Sequence, residues 1–151
     1  MHTTQKRSLW TVTGIASLMF VLSFVFVTLA MATGPADLTV TSVSAPSSAS
    51  LSSTIKVVTV TMNISSNVCG SSSTKFFLCT NNVAYANGTR NTQTIPALLG
   101  GGSFQATNTQ FIIPSNATLG TNYIIVVCGF GITDSNWSNN TNNTTRINIT
   151  H

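Results

Sequence analysis

Groups able to move protons are few in this chain, and they are scattered. General acid–base chemistry needs a carboxylate, an imidazole or a comparable group with a tuned pKa. Beyond the N-terminal segment the carboxylates are Asp37 and Asp134, the imidazole is the terminal His151, and there is no Glu at all. Neither Asp has an acidic or His neighbour in sequence. Asp37 stands where a strand should begin. Asp134 stands in a turn, where a carboxylate commonly caps backbone N–H groups. A Ser-His-Asp arrangement would have to borrow His151 from the chain end, and no Gly-x-Ser-x-Gly elbow is present. No His, Cys and carboxylate cluster has metal-ligand spacing. These residues point away from an enzyme and call for no metal or other cofactor.

Two other residue types carry possible chemistry. Cys69, Cys79 and Cys128 are an odd set of thiols, so at most two can pair within one chain. With Cys79 and Cys128 on neighbouring strands and both pointing away from the core, a Cys79–Cys128 disulfide is the expected pairing. Cys69 would then be left over in a loop. Cys69–Cys79 is the alternative, and three reduced thiols the third possibility. Asn-x-Ser/Thr acceptors are dense: Asn63, Asn87, Asn116, Asn136, Asn139, Asn142, Asn143 and Asn148. On an exported domain each accessible one is a candidate for a bulky, solubilising glycan. Asn63 is expected on the outward side of its strand, alternating with Thr59 and Thr61.

Charge excludes one large class of partner. The chain has six Lys and Arg against two acidic residues. Lys6 and Arg7 belong to the N-terminal segment, and Lys56, Lys75, Arg90 and Arg146 are spread along the rest. Nucleic-acid binding needs clustered cations that displace counterions, so no such partner is expected. A surface this poor in charge must be covered by something hydrophilic or be prone to association.

The elements that would position these residues begin with an apolar segment. After Lys6 and Arg7, residues 9–32 are uncharged, apolar on all sides of a helix, and end in Ala30-Met31-Ala32 followed by Thr33-Gly34-Pro35. A secretion signal cleaved after Ala32 fits the basic start and the small-x-small site. A retained anchor fits the length, which is near the roughly 20 residues that cross a bilayer. In both cases Lys6 and Arg7 stay inside and the remainder lies outside. The membrane is a partner through residues 9–32 if they are kept. A prepilin-like leader cut at Arg7-Ser8 would need Gly or Ala at the cut, which this site lacks. The division is therefore 1–32 signal or anchor, 33–36 linker and 37–150 domain.

From Asp37 the pattern changes to period-two alternation rich in β-branched residues. Strands are expected over residues 38–43, 55–64, 75–80, 92–99, 104–113, 123–130 and 146–150. In IKVVTVTMNI (55–64), Val58, Val60, Met62 and Ile64 are expected to face the core, with Thr59, Thr61 and Asn63 opposite. In KFFLCT, Lys75 outward places Phe76 and Leu78 inward and Cys79 outward. About seven short strands with turns between them give an all-β, immunoglobulin-like antiparallel β-sandwich, preceded by the N-terminal hydrophobic helix.

The run Asp37-Leu38-Thr39-Val40 with Pro46, Val57 to Asn63, Ile95-Pro96-Ala97-Leu98 before glycines and Phe104, Phe111 with Pro114, Gly120-Thr121-Asn122-Tyr123 and Asp134-Ser135-Asn136-Trp137-Ser138-Asn139-Asn140-Thr141 resembles a CARDB domain, the cell-adhesion-related domain of bacteria. The resemblance covers nearly all of residues 36–150. It departs from the family in lacking Glu, with Asn136 and Trp137 where acidic residues often stand. It implies an immunoglobulin-like sandwich on an exported surface protein, with adhesion to a protein or glycan surface as its setting. Trp137, in a polar loop, is the aromatic expected to serve as a contact residue. The alternative is a structural subunit of an extracellular filament or surface layer, self-associating by edge strands or by donation of residues 36–44.

Overall fold

The computed structural model describes residues 34–83 and 91–151. The apolar N-terminal segment, the Ala32 cleavage candidate and Asn87 lie outside the described residues. Eight strands are described: β1 Leu38–Ser44, β2 Ser48–Ser50, β3 Thr54–Asn63, β4 Ser72–Cys79, β5 Asn91–Ile95, β6 Ser103–Ile112, β7 Gly120–Phe130 and β8 Thr141–Thr150. They form two sheets, β1-β3-β6 and β2-β8-β7-β4-β5. Every pairing is antiparallel except β2 with β8, which run parallel from Ser48↔Asn148 to Ser50↔Thr150. The expected sandwich is there, with one strand more than anticipated. β2 was hidden in the Ala45-Pro46-Ser47-Ser48 stretch, which reads as a turn because Pro and Ser dominate it.

The core between the sheets collects Leu38 and Val40 from β1, Ile55 and Val57 from β3, Phe76 and Leu78 from β4, Phe111 from β6, Ile124, Val126 and Cys128 from β7, and Ile147 and Ile149 from β8. β4 follows the expected phase, with Phe76 and Leu78 inward. β7 is buried on both faces. Phe77, Cys79, Ile125 and Val127 form a second, smaller cluster on the other side of the same sheet, with Tyr123 and Phe130 packed against it.

β3 corrects the expected phase. Ile55, Val57, Thr59, Thr61 and Asn63 point inward, whereas Val58, Val60 and Met62 are only half-buried and Ile64 is exposed. The strand keeps strict alternation, so one choice of face applies throughout. Facing Val58 and Val60 inward would have carried Lys56 inward with them. The observed phase exposes Lys56 and buries Ile55 and Val57 at the cost of burying two threonines. The extra residue that adjusts the register lies in β6, between the pairs Val57↔Thr109 and Thr59↔Ala106. The Thr59, Thr61, Ser72 and Thr74 hydroxyls are all buried without a hydrogen-bond partner.

The first strand is no loose extension. β1 pairs with β3 from Leu38↔Asn63 to Ser44↔Val58, and Leu38 is fully buried. Residues 36–44, expected as a segment available for donation, are thus part of this chain's own sandwich. Side chains also tie the sheets at their margins. Thr39 Oγ1 donates to the Asn139 carbonyl at 3.0 Å and Thr145 Oγ1 to the Val43 carbonyl at 3.4 Å. On the opposite margin Asn91 Nδ2 donates to the Gln110 carbonyl.

Candidate functional site

One end of the sandwich gathers several of the residues singled out in the sequence. The chain enters it at Ala36, and Ala36 bridges to Asp134 in the β7–β8 connection. Asp134 Oδ2 accepts the Leu38 N–H at 2.9 Å, and its Oδ1 accepts the Asn136 N–H at 2.9 Å. The carboxylate thus fastens the start of β1 to the loop that carries Trp137, beyond the local turn cap expected of it. Asp37 Oδ1 accepts from Asn139 Nδ2 at 2.8 Å, a second tie between the same two segments. The chain here forms one 3-10 turn, Trp137–Asn139, whose N-cap Asn136 accepts from Ser138 N.

Asn63 anchors the neighbouring connections. Its Oδ1 accepts from Ser65 Oγ at 2.9 Å, Ser65 N at 3.2 Å and Asp37 N at 3.4 Å. Its Nδ2 donates to the carbonyls of Asn67 at 2.7 Å, Leu99 at 3.3 Å and Leu98 at 3.4 Å. The residue is 0% exposed. This corrects the expectation of a glycan acceptor at Asn63: the amide nitrogen is enclosed and already donating. Among the other acceptors, Asn116, Asn136 and Asn148 are exposed. Asn142 and Asn143 are half-buried on β8, and Asn139 is half-buried with its amide given to Asp37.

Trp137 is exposed to 47%, and its ring lies edge-on to Phe130 with centroids 5.7 Å apart at 67°. Lys75 Nζ sits 4.1 Å from the centre of the Phe130 ring, within cation–π reach. Lys75, Phe130 and Trp137 therefore make a continuous cation–aromatic surface. Gly129 lets it form. Its φ is +89°, and a Cβ there would fall on Asn140 Nδ2 and within 3.5 Å of Trp137 Cη2. Trp137 was legible as a contact candidate. Phe130 and Lys75 join it through strand pairing between distant parts of the chain, which local sequence does not display.

An open recess of about 410 Å³ is walled by Pro35, Ala36, Val68, Cys69, Ile132 and Thr133. A smaller polar recess of about 180 Å³ lies among Leu78, Thr80, Pro114, Asn116, Thr118 and Asn122.

The cysteines are placed differently from expectation, and all three are thiols. Cys79 lies opposite Tyr123 in the β4–β7 ladder, while Cys128 is five residues further along β7. At about 3.3 Å per residue, that separates them by roughly 16 Å, well beyond the ~7 Å that a disulfide spans between α-carbons. They also occupy opposite faces: Cys79 points outward as expected, but Cys128 points into the main core. The Cys79–Cys128 pairing is therefore overturned. Cys69–Cys79 fails for the same reason of face, because Cys69 belongs to the main core. Burial, then the Asp134 charge, raises the Cys69 thiol. The same causes in the same order push Cys128 up to about 12.

The sandwich has the fold of CARDB domains. A CARDB domain of Pyrococcus furiosus, solved in complex with di-metal ions, superposes with a TM-score of 0.56 at 14% identity over 76% of this chain and 89% of that one. A domain of a cell-surface protein candidate of Methanosarcina acetivorans gives 0.56 at 17% identity over 78% of this chain and 95% of that one. A β-glucosidase of Erythrobacter marinus gives 0.50 at 17% identity, but the likeness spans 16% of that enzyme and carries no activity across. No family model matches the sequence, and no curated relative matches it.

The metal ions of the Pyrococcus domain do not fit this donor set. Among the described residues no group of three or more His, Cys, Asp or Glu comes together. Both oxygens of Asp134 are already engaged by backbone N–H groups.

Proposed function

We propose that this chain is an exported cell-surface protein whose CARDB-like sandwich is a non-catalytic binding module of the adhesion type. The observation that carries the reading is the CARDB fold, which extends over nearly all of the described residues. It follows a segment with basic residues, a long apolar run and a small-x-small site, the makings of a signal or anchor with the domain outside. The contact surface is the Lys75–Phe130–Trp137 face. An exposed indole held by a rigid neighbour loses little entropy when it packs against a partner. Glycans on the exposed acceptors Asn116, Asn136 and Asn148 would hydrate a surface that has almost no charge of its own. An intact mass on native material equal to the bare polypeptide would remove the glycans from this reading.

The binding role is tested with beads coated with the purified protein and presented to cells of the source community and to arrayed glycans. The expected result is retention that falls at least fivefold in Trp137→Ala and in Lys75→Ala. Retention unchanged in both variants would overturn the assignment of that face. The competing reading, a filament or layer subunit, predicts polymers by size exclusion and negative-stain imaging. Deleting residues 33–44 is a poor probe of it, because the deletion removes β1 and its core residues Leu38 and Val40.

A further inference from the structure

The chain enters the sandwich at an end whose outside is apolar. Ala36 is buried and bridges to Asp134, so the entry point is fixed. The β3–β4 and β5–β6 connections are laced to it. The Ile64 N–H donates to the Asp37 carbonyl at 2.8 Å, and Asn67 Nδ2 donates to the Pro35 carbonyl at 3.0 Å. Asn63 Nδ2, which holds the Asn67 carbonyl, also reaches the Leu99 carbonyl at 3.3 Å. Gly100 lies so close to Ser66 that a Cβ there would fall 2.5 Å from the Ser66 carbonyl. Ile64, Val68 and Leu99 are exposed on this end, Leu99 to 66%. Val68 continues into the recess walled by Pro35, Ala36 and Ile132. No Lys or Arg occurs in residues 64–71, 96–102 or 131–140. The two carboxylates here are already engaged, Asp37 by Asn139 Nδ2 and Asp134 by two backbone N–H groups.

We propose that this end of the sandwich lies against the outer surface of the bilayer crossed by residues 9–32, with Ile64, Val68 and Leu99 set into the headgroup boundary. The proposal rests on the reading of residues 9–32 as a retained anchor. Chain length decides which part of the domain meets the lipid. Four residue steps separate Ala32 from Ala36, and an extended chain covers at most about 3.6 Å per step, so the fixed Ala36 stands no more than about 14 Å from the end of the anchor. β3 alone is roughly 30 Å long at about 3.3 Å per residue. The tether therefore holds the Ile64–Val68–Leu99 end at the bilayer and keeps the opposite end away from it. Exposed apolar side chains with no cation among them gain by leaving water at the lipid boundary, not by attraction to anionic headgroups. The Lys75–Phe130–Trp137 face stays open to a partner from the side, because Phe130 packs on the outer face of the five-stranded sheet with Lys75 over its ring.

The test uses the full chain reconstituted into phosphatidylcholine nanodiscs that contain a spin-labelled lipid. A fluorophore is attached through Ser66→Cys at this end or through Ser115→Cys at the other; both serines are exposed, and the native thiols are buried. Ser115 follows Ile113, whose N–H donates to the Ser53 carbonyl just before the start of β3. The spin-labelled lipid should quench the Ser66 probe at least threefold more strongly than the Ser115 probe. Equal quenching would overturn the proposal. Adding Ile64→Ser and Leu99→Ser should reduce quenching of the Ser66 probe by at least half. Quenching unchanged in that background would show that the tether alone holds the end near the lipid, and would overturn the apolar contact. N-terminal sequencing of native protein tests the anchor separately. A chain beginning at Thr33 refutes the anchor and the proposal with it, whereas a chain that keeps residues 9–32 but quenches equally at both ends refutes the contact and leaves the anchor standing.

Discussion

Replacing Asn63 by Ala should unlatch one end of the sandwich. The side chain is fully buried and is the shared partner of Asp37 N, Ser65 N, Ser65 Oγ and the carbonyls of Asn67, Leu98 and Leu99. Ala reproduces none of these contacts. Each buried polar group left without a partner costs about 1–3 kcal/mol. The two shortest contacts, Asn67 O at 2.7 Å and Ser65 Oγ at 2.9 Å, carry most of the loss; the longer four share what remains. A total of about 3–5 kcal/mol follows, a large part of the ~5–15 kcal/mol that holds a small domain. Thermal unfolding followed by circular dichroism should therefore show a Tm lower by roughly 10–25 °C. Asn116→Ala removes an exposed Asn of the same sequon type and should shift Tm by no more than about 2 °C. Asn63→Asp gives the sign independently. A carboxylate facing three carbonyls has its folded pKa raised, so its stability is greatest below the unfolded Asp value of about 3.9 and is lost as pH rises. An Asn63→Ala shift as small as that of Asn116→Ala would refute the reasoning.

Further outcomes follow from the same contacts. Gly129→Ala, at φ +89° with its Cβ on Asn140 Nδ2, should cost about 2–4 kcal/mol in urea unfolding and disturb the Trp137 fluorescence spectrum. Thr61→Val replaces an orphaned, fully buried hydroxyl with a methyl of similar size and should stabilise by about 1 kcal/mol; a loss of that size would show the hydroxyl to be satisfied. In the reduced protein burial, then the Asp134 charge, pushes the Cys128 thiol from its ordinary 9.0 up to about 12 on folding. The folded chain then holds the proton longer, so stability is intact below pH 9 and falls as pH rises from there toward 12. Cys128→Ala should flatten that decline in chemical denaturation at alkaline pH.

The parts of the fold that local sequence reveals are those with one strong signal. The Gly-rich run before Phe104 and the Phe76/Leu78 phase of β4 each have a single physical reading, and β6 and β4 follow it; β5, expected to run to residue 99, ends at Ile95, and β7 begins at Gly120, three residues before the expected start. β3 has no single reading. Val and Thr are nearly the same shape and both favour strands, so IKVVTVTMNI alternates equally well in either phase. What decides it is Lys56, which must stay outside. β7 hides the orientation of Cys128 because it is apolar on both faces, leaving no alternation to read. The Asn-rich stretch resembles an irregular loop, yet residues from Thr141 onward form β8 against β7. Asn63 shows the limit most sharply. The same three residues that spell a glycan acceptor also build a buried hydrogen-bond knot, and only the contacts with Asn67, Leu98 and Leu99 distinguish them. At the candidate surface Trp137 is visible in sequence as a lone aromatic among polar residues. Its partners Phe130 and Lys75 come from the β4–β7 ladder, a pairing that spans much of the chain.

Surface exposure is the claim on which the functional account stands. The direct measurement is protease shaving of intact cells producing the chain with an epitope tag after His151. The account predicts that external protease removes the tag from whole cells, or that the tag is found in the medium, while a cytoplasmic marker stays intact. A tag that remains cell-associated and protected until the cells are lysed would contradict it.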